Sequence, residues 1–332
     1  MSRLDELIAK FCPNGVKYRE LKDILIIKNG KDYKNLTEGK YPVYGSGGIM
    51  TYVSSYVYDK PSVLIPRKGS IDKLYYVEEP FWNVDTIFYT EIDEEKVIPR
   101  YVYFCLQKEH LEQYNTAGGV PSLTQKVLNR VKLPVPPLEV QREIVHILDS
   151  FTLLTAELTA ELTARKKQYE YYRDTMLSVD TQIPIVKLKD IATEMYRGSG
   201  IKRDQVTSEG IPCVRYGEIY TTYNTWFEKC ISHTKLEYVS SPKYFEHGDI
   251  LFAITGESVE DIAKSIAYIG HEKCLAGGDI VVMKHKQNPK YLSYVLSTYN
   301  ARLQKSKGKI KSKVVHSNVP SIENIEIPLP PL

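Results

Sequence analysis

Val131-Lys132-Leu133-Pro134-Val135-Pro136-Pro137-Leu138 returns 194 residues later as Ile325-Glu326-Ile327-Pro328-Leu329-Pro330-Pro331-Leu332. A proline-closed extended segment that occurs twice invites a search for a longer repeat. Tyr18-Arg19-Glu20-Leu21-Lys22-Asp23-Ile24 matches Ile185-Val186-Lys187-Leu188-Lys189-Asp190-Ile191, and Glu38-Gly39-Lys40-Tyr41-Pro42 resembles Glu209-Gly210-Ile211-Pro212. Val63-Leu64-Ile65 through Gly69 matches Ile250-Leu251-Phe252 through Gly256. Asp85-Thr86-Ile87-Phe88 matches Asp279-Ile280-Val281-Val282, and Ile98-Pro99-Arg100-Tyr101-Val102 matches Asn288-Pro289-Lys290-Tyr291-Leu292. The offsets run from 167 to 194 and the order never breaks. The chain therefore reads as two copies of one domain.

Each copy is patterned as α+β. Ser62–Ile65, Leu74–Val77, Asp85–Thr90, Asp249–Ile254 and Asp279–Met283 are short β-branched or aromatic runs bounded by Gly, Pro or charge, as strands are. Pro99–Lys108 and Pro289–Leu303 open on a proline suited to the first helical position and continue with helical spacing.

Between the copies the pattern changes. Glu139–Leu177 has no Gly or Pro. Ile144, Leu148, Phe151, Leu158, Leu162, Tyr169, Tyr172 and Met176, with Thr155 and Arg165 in the remaining slots, alternate in steps of four and three. That is a coiled-coil seam on a helix about 55–60 Å long. The domain limits expected are 1–137, a helical spacer over 138–179, and 180–332. Within the spacer, Thr155-Ala156-Glu157-Leu158 is followed by Thr159-Ala160-Glu161-Leu162 and Thr163-Ala164. One such unit lengthens a helix by about 6 Å, a step or two of duplex DNA, and perturbs a seven-residue period only as a stutter.

At 332 residues the chain suits two domains, and 42% hydrophobic with 26% charged residues is ordinary for a globular protein. No apolar run approaches the roughly 20 residues of a membrane span, and Asp5 and Glu6 break any signal-peptide pattern, so a cytoplasmic protein is expected. Five scattered cysteines without a C-x-x-C pair fit reduced thiols better than a disulfide framework or zinc site. A net charge of +3 is uninformative, but Ala301–Asn318 holds six cations and no carboxylate. Lys305, Lys307, Lys309, Lys311 and Lys313 fall on alternate residues, which in an extended segment share a face. Such a row matches a phosphate backbone; its plainer reading is a solvated basic loop.

Two diverged domains, each ending in this proline motif and joined by a long helix, resemble the specificity subunits of type I restriction-modification systems. The signature P-P-L-x-x-Q-x-x-I-V stands here as Pro136-Pro137-Leu138-Glu139-Val140-Gln141-Arg142-Glu143-Ile144-Val145. Tyr41-Pro42-Val43-Tyr44-Gly45-Ser46-Gly47-Gly48 and the loop Thr116–Thr124 are similar to segments of that family's target-recognition domains. The Thr-Ala-Glu-Leu tandem looks like its spacer repeats. The resemblance implies two target-recognition domains, each reading half of a split double-stranded DNA sequence, with the helix setting the gap. It also implies docking of two methyltransferase subunits, which carry S-adenosylmethionine, and two motor-nuclease subunits in the full complex. No cofactor or metal is expected on this chain. The family's second spacer helix would begin after Leu332, so the expected reading is a chain cut short there, its seam pairing antiparallel with another copy or with an added second-spacer chain.

Candidate DNA contacts in the first domain are Ser46 and Gly47 of the glycine turn, and Arg67, Lys68 and Ser70 after a strand. Ser122, Thr124, Gln125 and Lys126 follow from the glycine-rich loop. In the second they are Arg197, Arg215, Tyr216, Thr255, the lysine row, His316 and Asn318. Arg67 has the fork that pairs with guanine, whereas lysines act as point charges. An ordinary tight turn is the plainer reading of Gly45–Gly48, as is a surface histidine of His316. The competing class is an enzyme with a duplicated catalytic domain. Its best candidate is the aligned pair Asp85 and Asp279, which have no histidine or cysteine neighbour. A protein-binding adaptor is the third reading.

Overall fold

The computed structural model describes residues 2–115, 118–177, 183–259, 261–305, 309–311 and 314–331, with the side chains at 309–311 and 314 outside that description. It divides into two compact units, Met1–Thr159 and Ala160–Leu332. The division falls inside one continuous helix, Leu138–Leu177, of 40 residues. The Pro137 carbonyl accepts from the amides of Val140 (3.0 Å) and Gln141 (3.1 Å) and so opens its first turn. Beyond Val140 and Gln141 no described residue of this helix is buried. Leu148, Phe151, Leu158, Leu162, Tyr169, Tyr172 and Met176 of the expected seam are exposed. The threonine hydroxyls of the tandem bond back into the helix, Thr155 to the Phe151 carbonyl and Thr159 to that of Thr155, each at 2.7 Å.

In the first unit, Leu25–Asn29, Ile87–Ile92, Ser62–Pro66 and Tyr75–Val77 form an antiparallel sheet in that order. Pro99–Lys108 packs Val102 and Leu106 onto it, in a core shared with Val63, Ile65 and Phe88. A smaller sheet runs Gly48–Val53, Glu38–Gly45, Trp82–Asn83, the last pair parallel. Tyr18–Glu20 pairs antiparallel with Lys132–Pro134.

The second unit repeats this plan. Ala192–Arg197, Ile280–His285, Ile250–Ala253, Ser265–Tyr268 and Trp226–Phe227 form its main sheet, and Ile211–Val214 runs parallel to Cys274–Ala276 in the other. Individual hydrogen bonds recur. Leu21 donates to the Val131 carbonyl (2.9 Å) and Leu188 to that of Ile325 (3.0 Å). The Tyr101 hydroxyl donates to the Pro134 carbonyl (3.0 Å) and the Tyr291 hydroxyl to that of Pro328 (2.8 Å). Prolines at the motif's end tolerate pairing on one side only, so each repeat closes with a two-stranded edge ladder.

Two expectations need correction. Pro289–Leu303 is two helices, Pro289–Leu296 and Tyr299–Lys305. The Thr298 hydroxyl bonds the Val295 carbonyl at 2.7 Å, and the Thr298 carbonyl accepts from Arg302 at 2.9 Å, which ends one helix and starts the next. The pairing of Asp85 with Asp279 is out by one residue. Ile65 lies opposite Phe88, whereas its counterpart Phe252 lies opposite Val281, so Thr86 corresponds to Asp279 and Asp85 to Gly278. A bulge between Ala192 and Glu194 adds the extra residue on the neighbouring strand. The shifted alignment brings Gly30 and Gly198 together. A side-chain carbon at either would meet a carbonyl oxygen, of Val84 at 2.0 Å or of Gly277 at 2.2 Å. The duplicated-carboxylate reading thus loses its aligned pair.

Candidate nucleic-acid interface

In the first unit two loops meet at Thr86, and a third joins them through Lys68. The Thr86 carbonyl accepts from the Arg67 amide at 2.8 Å, and its hydroxyl from the Ser46 amide at 3.4 Å. Lys68 bridges Ser122, the Gly69 amide donates to Pro121 (3.0 Å), and that of Leu123 donates to Arg67 (2.9 Å). The Asn115 side chain accepts from the Ser122 amide at 2.9 Å and closes the glycine-rich loop. The Tyr75 hydroxyl donates to the Ser46 carbonyl at 3.2 Å, and burial raises its pKa, so the donor proton is kept. Ser46, Gly47, Arg67, Lys68, Ser70 and Ser122 therefore lie on one surface. Gly69 has φ +83°, a conformation that suits glycine and lets the Arg67–Ser70 loop turn sharply.

Within that surface the side chains differ in freedom. Arg67 rests its guanidinium 5.8 Å from the Phe88 ring centre, whereas Lys68 and Lys126 are exposed. Thr124 caps the short helix Gln125–Leu128 by accepting from Val127 (3.3 Å), and Gln125 donates to the Ile27 carbonyl (3.1 Å). Those two side chains hold the loop in place. Thr116 of the expected loop lies outside the described residues.

The second unit builds the same site from different residues. Thr255 pairs with His316 where Lys68 bridges Ser122, and the Ser317 amide donates to Ile254 (2.9 Å) as Leu123 does to Arg67. Asn318 caps Val319–Glu323 as Thr124 caps its helix. The Thr255 hydroxyl lies 3.2 Å from His316 Nδ1. Tyr216, exposed, takes the place of Ser46. Arg197 is paired with Asp279 at 2.6 Å, and Arg215 with Glu218 at 3.3 Å. Each arginine is thus engaged by a carboxylate of its own unit.

The lysine row departs from a single extended face. Lys309 and Lys311 lie on a strand, Lys309–Lys311, hairpin-paired with Val314–His316. Lys307 and Lys313 lie outside the described residues. Lys305 ends a helix and is buried, its ammonium donating to Ser265 Oγ (2.9 Å) and the Leu296 carbonyl (2.7 Å). Alternation in the sequence says nothing of where a helix stops. Thr86 and Asn115 were not legible as site residues, and Asp279 was legible only as half of a catalytic pair, because their roles come from contacts between distant loops. Among the described residues there is no metal-holding group of three His, Cys, Asp or Glu, and no helix is long and apolar enough to cross a membrane.

This is a duplicated set of loops on two like α+β units, with donors and cations at each. The family described as "Type I restriction modification DNA specificity domain" matches residues 13–165. S.HindORF215P of Haemophilus influenzae, described as a type I restriction enzyme specificity subunit, is 27% identical over 308 residues, covering 89% of this chain and 77% of that one. S.MpnORF507P of Mycoplasma pneumoniae, a type I specificity subunit by its description, is 30% identical over 55% of this chain and 54% of its own length. The solved S subunit of a type I restriction-modification system from M. genitalium shares the fold, with a TM-score of 0.56 at 16% identity over 95% of this chain and 85% of that one. Residues 13–165 thus carry a type I restriction modification DNA specificity domain, and the chain as a whole is similar to type I specificity subunits.

Proposed function

We propose that each unit reads one half of a bipartite DNA target through its converging loops, and that the helix Leu138–Leu177 sets the unread gap. The observation that supports this most is the recurrence of one loop junction, Lys68 with Ser122 and Thr255 with His316, at the same place in both repeats but with different side chains. Equivalent position with different chemistry is what two readers of different half-sites require. The exposed seam of the helix is the docking surface proposed for two methyltransferase subunits. S-adenosylmethionine and adenine methylation belong to those subunits, and cleavage to two motor-nuclease subunits.

Arg67→Ala is expected to weaken specific binding by about 1–3 kcal/mol and to relax one base position, the loss of one bidentate contact. Lys68→Ala and Lys126→Ala are expected to weaken binding on all duplexes and to reduce the salt slope by about one each. Fluorescence titration of the complex assembled with methyltransferase subunits, on a panel of duplexes and salt concentrations, measures both. Equal losses on every sequence for Arg67→Ala would remove it from the readers. Methylome sequencing of cells carrying the system tests the whole proposal, and a short continuous palindrome would refute it.

A further inference from the structure

Lys305 is a cation in an unusual place. It is buried in the second unit with two neutral oxygen partners, Ser265 Oγ and the Leu296 carbonyl, and with the Phe252 ring centre 5.8 Å away, so among the described residues it has no anionic partner. It lines a cavity of about 580 Å³. Lys166 and Arg173 from the long helix, with Lys264 and Arg302, bring the lining to five cations against two carboxylates, Glu170 and Asp261. Arg302 forms ion pairs with Glu170 (3.6 Å) and Asp261 (3.9 Å). Arg173 is taken up by Asp174 at 2.7 Å, and Lys264 approaches the Tyr220 and Tyr223 carbonyls at 3.5 and 3.3 Å. A buried ammonium facing a roomy, positively charged cavity calls for an anion.

We propose that this cavity binds a phosphate group, with Lys305 at its floor and Lys264 and Arg302 beside it. The described lining has no aromatic ring on which a base would stack, so recognition falls on the phosphate itself. The site has no part in the loop junctions described above, and the inference stands apart from the DNA-reading proposal. Burial, and then repulsion by Arg302, lowers the Lys305 pKa to about 7, while burial also lowers that of Lys264. In the unfolded chain the lysine keeps its ordinary value of 10.5. The unfolded state therefore binds the extra proton between those limits, and stability rises with pH from about 7 upward. A phosphate dianion would hold the ammonium charged, so binding takes up protons in that window.

The experiment is isothermal titration of the full chain with inorganic phosphate and pyrophosphate at pH 8, against chloride of equal ionic strength, in buffers of different ionisation enthalpy. Saturable binding with proton uptake is expected. Lys305→Met should abolish both, and Arg302→Gln should weaken phosphate about tenfold while leaving Lys305 in place. Competition by a short DNA duplex would identify a backbone phosphate as the natural occupant, and independence from duplex would identify a free phosphate compound. Absence of binding beyond the chloride control, or undiminished binding in both variants, overturns the proposal.

Discussion

Gln141→Leu is expected to destabilise the first unit by about 3 kcal/mol, the cost of leaving several buried polar groups without partners. Gln141 is fully buried although it stands at the head of a solvent-exposed helix. Its Nε2 donates to the carbonyls of Lys96 (3.0 Å) and Pro136 (2.7 Å), and its Oε1 accepts from the Ile98 amide (2.9 Å). It thereby ties the first turn of the helix to the loop before Pro99–Lys108. Leucine has nearly the same volume and none of these bonds. For a unit of this size the loss corresponds to roughly 10 °C in unfolding midpoint, read by calorimetry. A drop below about 3 °C would show that water replaces the side chain and that the glutamine is no clamp. The P-P-L-x-x-Q motif thus has a physical role in anchoring the helix, a role the proline and glutamine spacing alone did not reveal.

Insertion of one further Thr-Ala-Glu-Leu unit after Leu162 is expected to leave folding nearly unchanged and to replace the DNA target. Every residue from Phe151 to Glu170 is exposed, and the tandem threonines bond to their own helix, so added turns need no partner. The stability change should stay within about 0.5 kcal/mol. The helix, however, lengthens by about 6 Å. Under the proposed function, methylation at the original site falls to background and appears at one whose half-sites are unchanged and whose gap is longer by one or two base pairs. Methylome sequencing of cells carrying wild-type and inserted forms decides it. Retention of the original gap would show that the helix is no spacer.

The two kinds of information separate along physical lines. The repeat and the long helix were legible because they rest on order and periodicity. Leu138–Leu177 differs by one residue from the span its composition predicts. The closing ladders Tyr18–Glu20 with Lys132–Pro134 and Ile185–Lys187 with Glu326–Pro328 join the first and last matched segments of each copy. Lys305 shows where the pattern misleads. Its spacing fits a charged row, yet the Thr298 hydroxyl and carbonyl restart a helix that carries it into the core.

What the amino-acid order determined by itself is the duplication, the α+β plan and the helix between the copies, since backbone propensity and the period of apolar residues act over neighbouring positions. Only the tertiary structure decided which loops share a surface. Thr86 and Asp279 occupy one place, at which Thr86 gathers Ser46 and Arg67 in one unit and Asp279 holds Arg197 in the other. The pairing register sets that equivalence, Ile65 opposite Phe88 and Phe252 opposite Val281, because a slip of a single residue reverses which face of a strand each side chain takes.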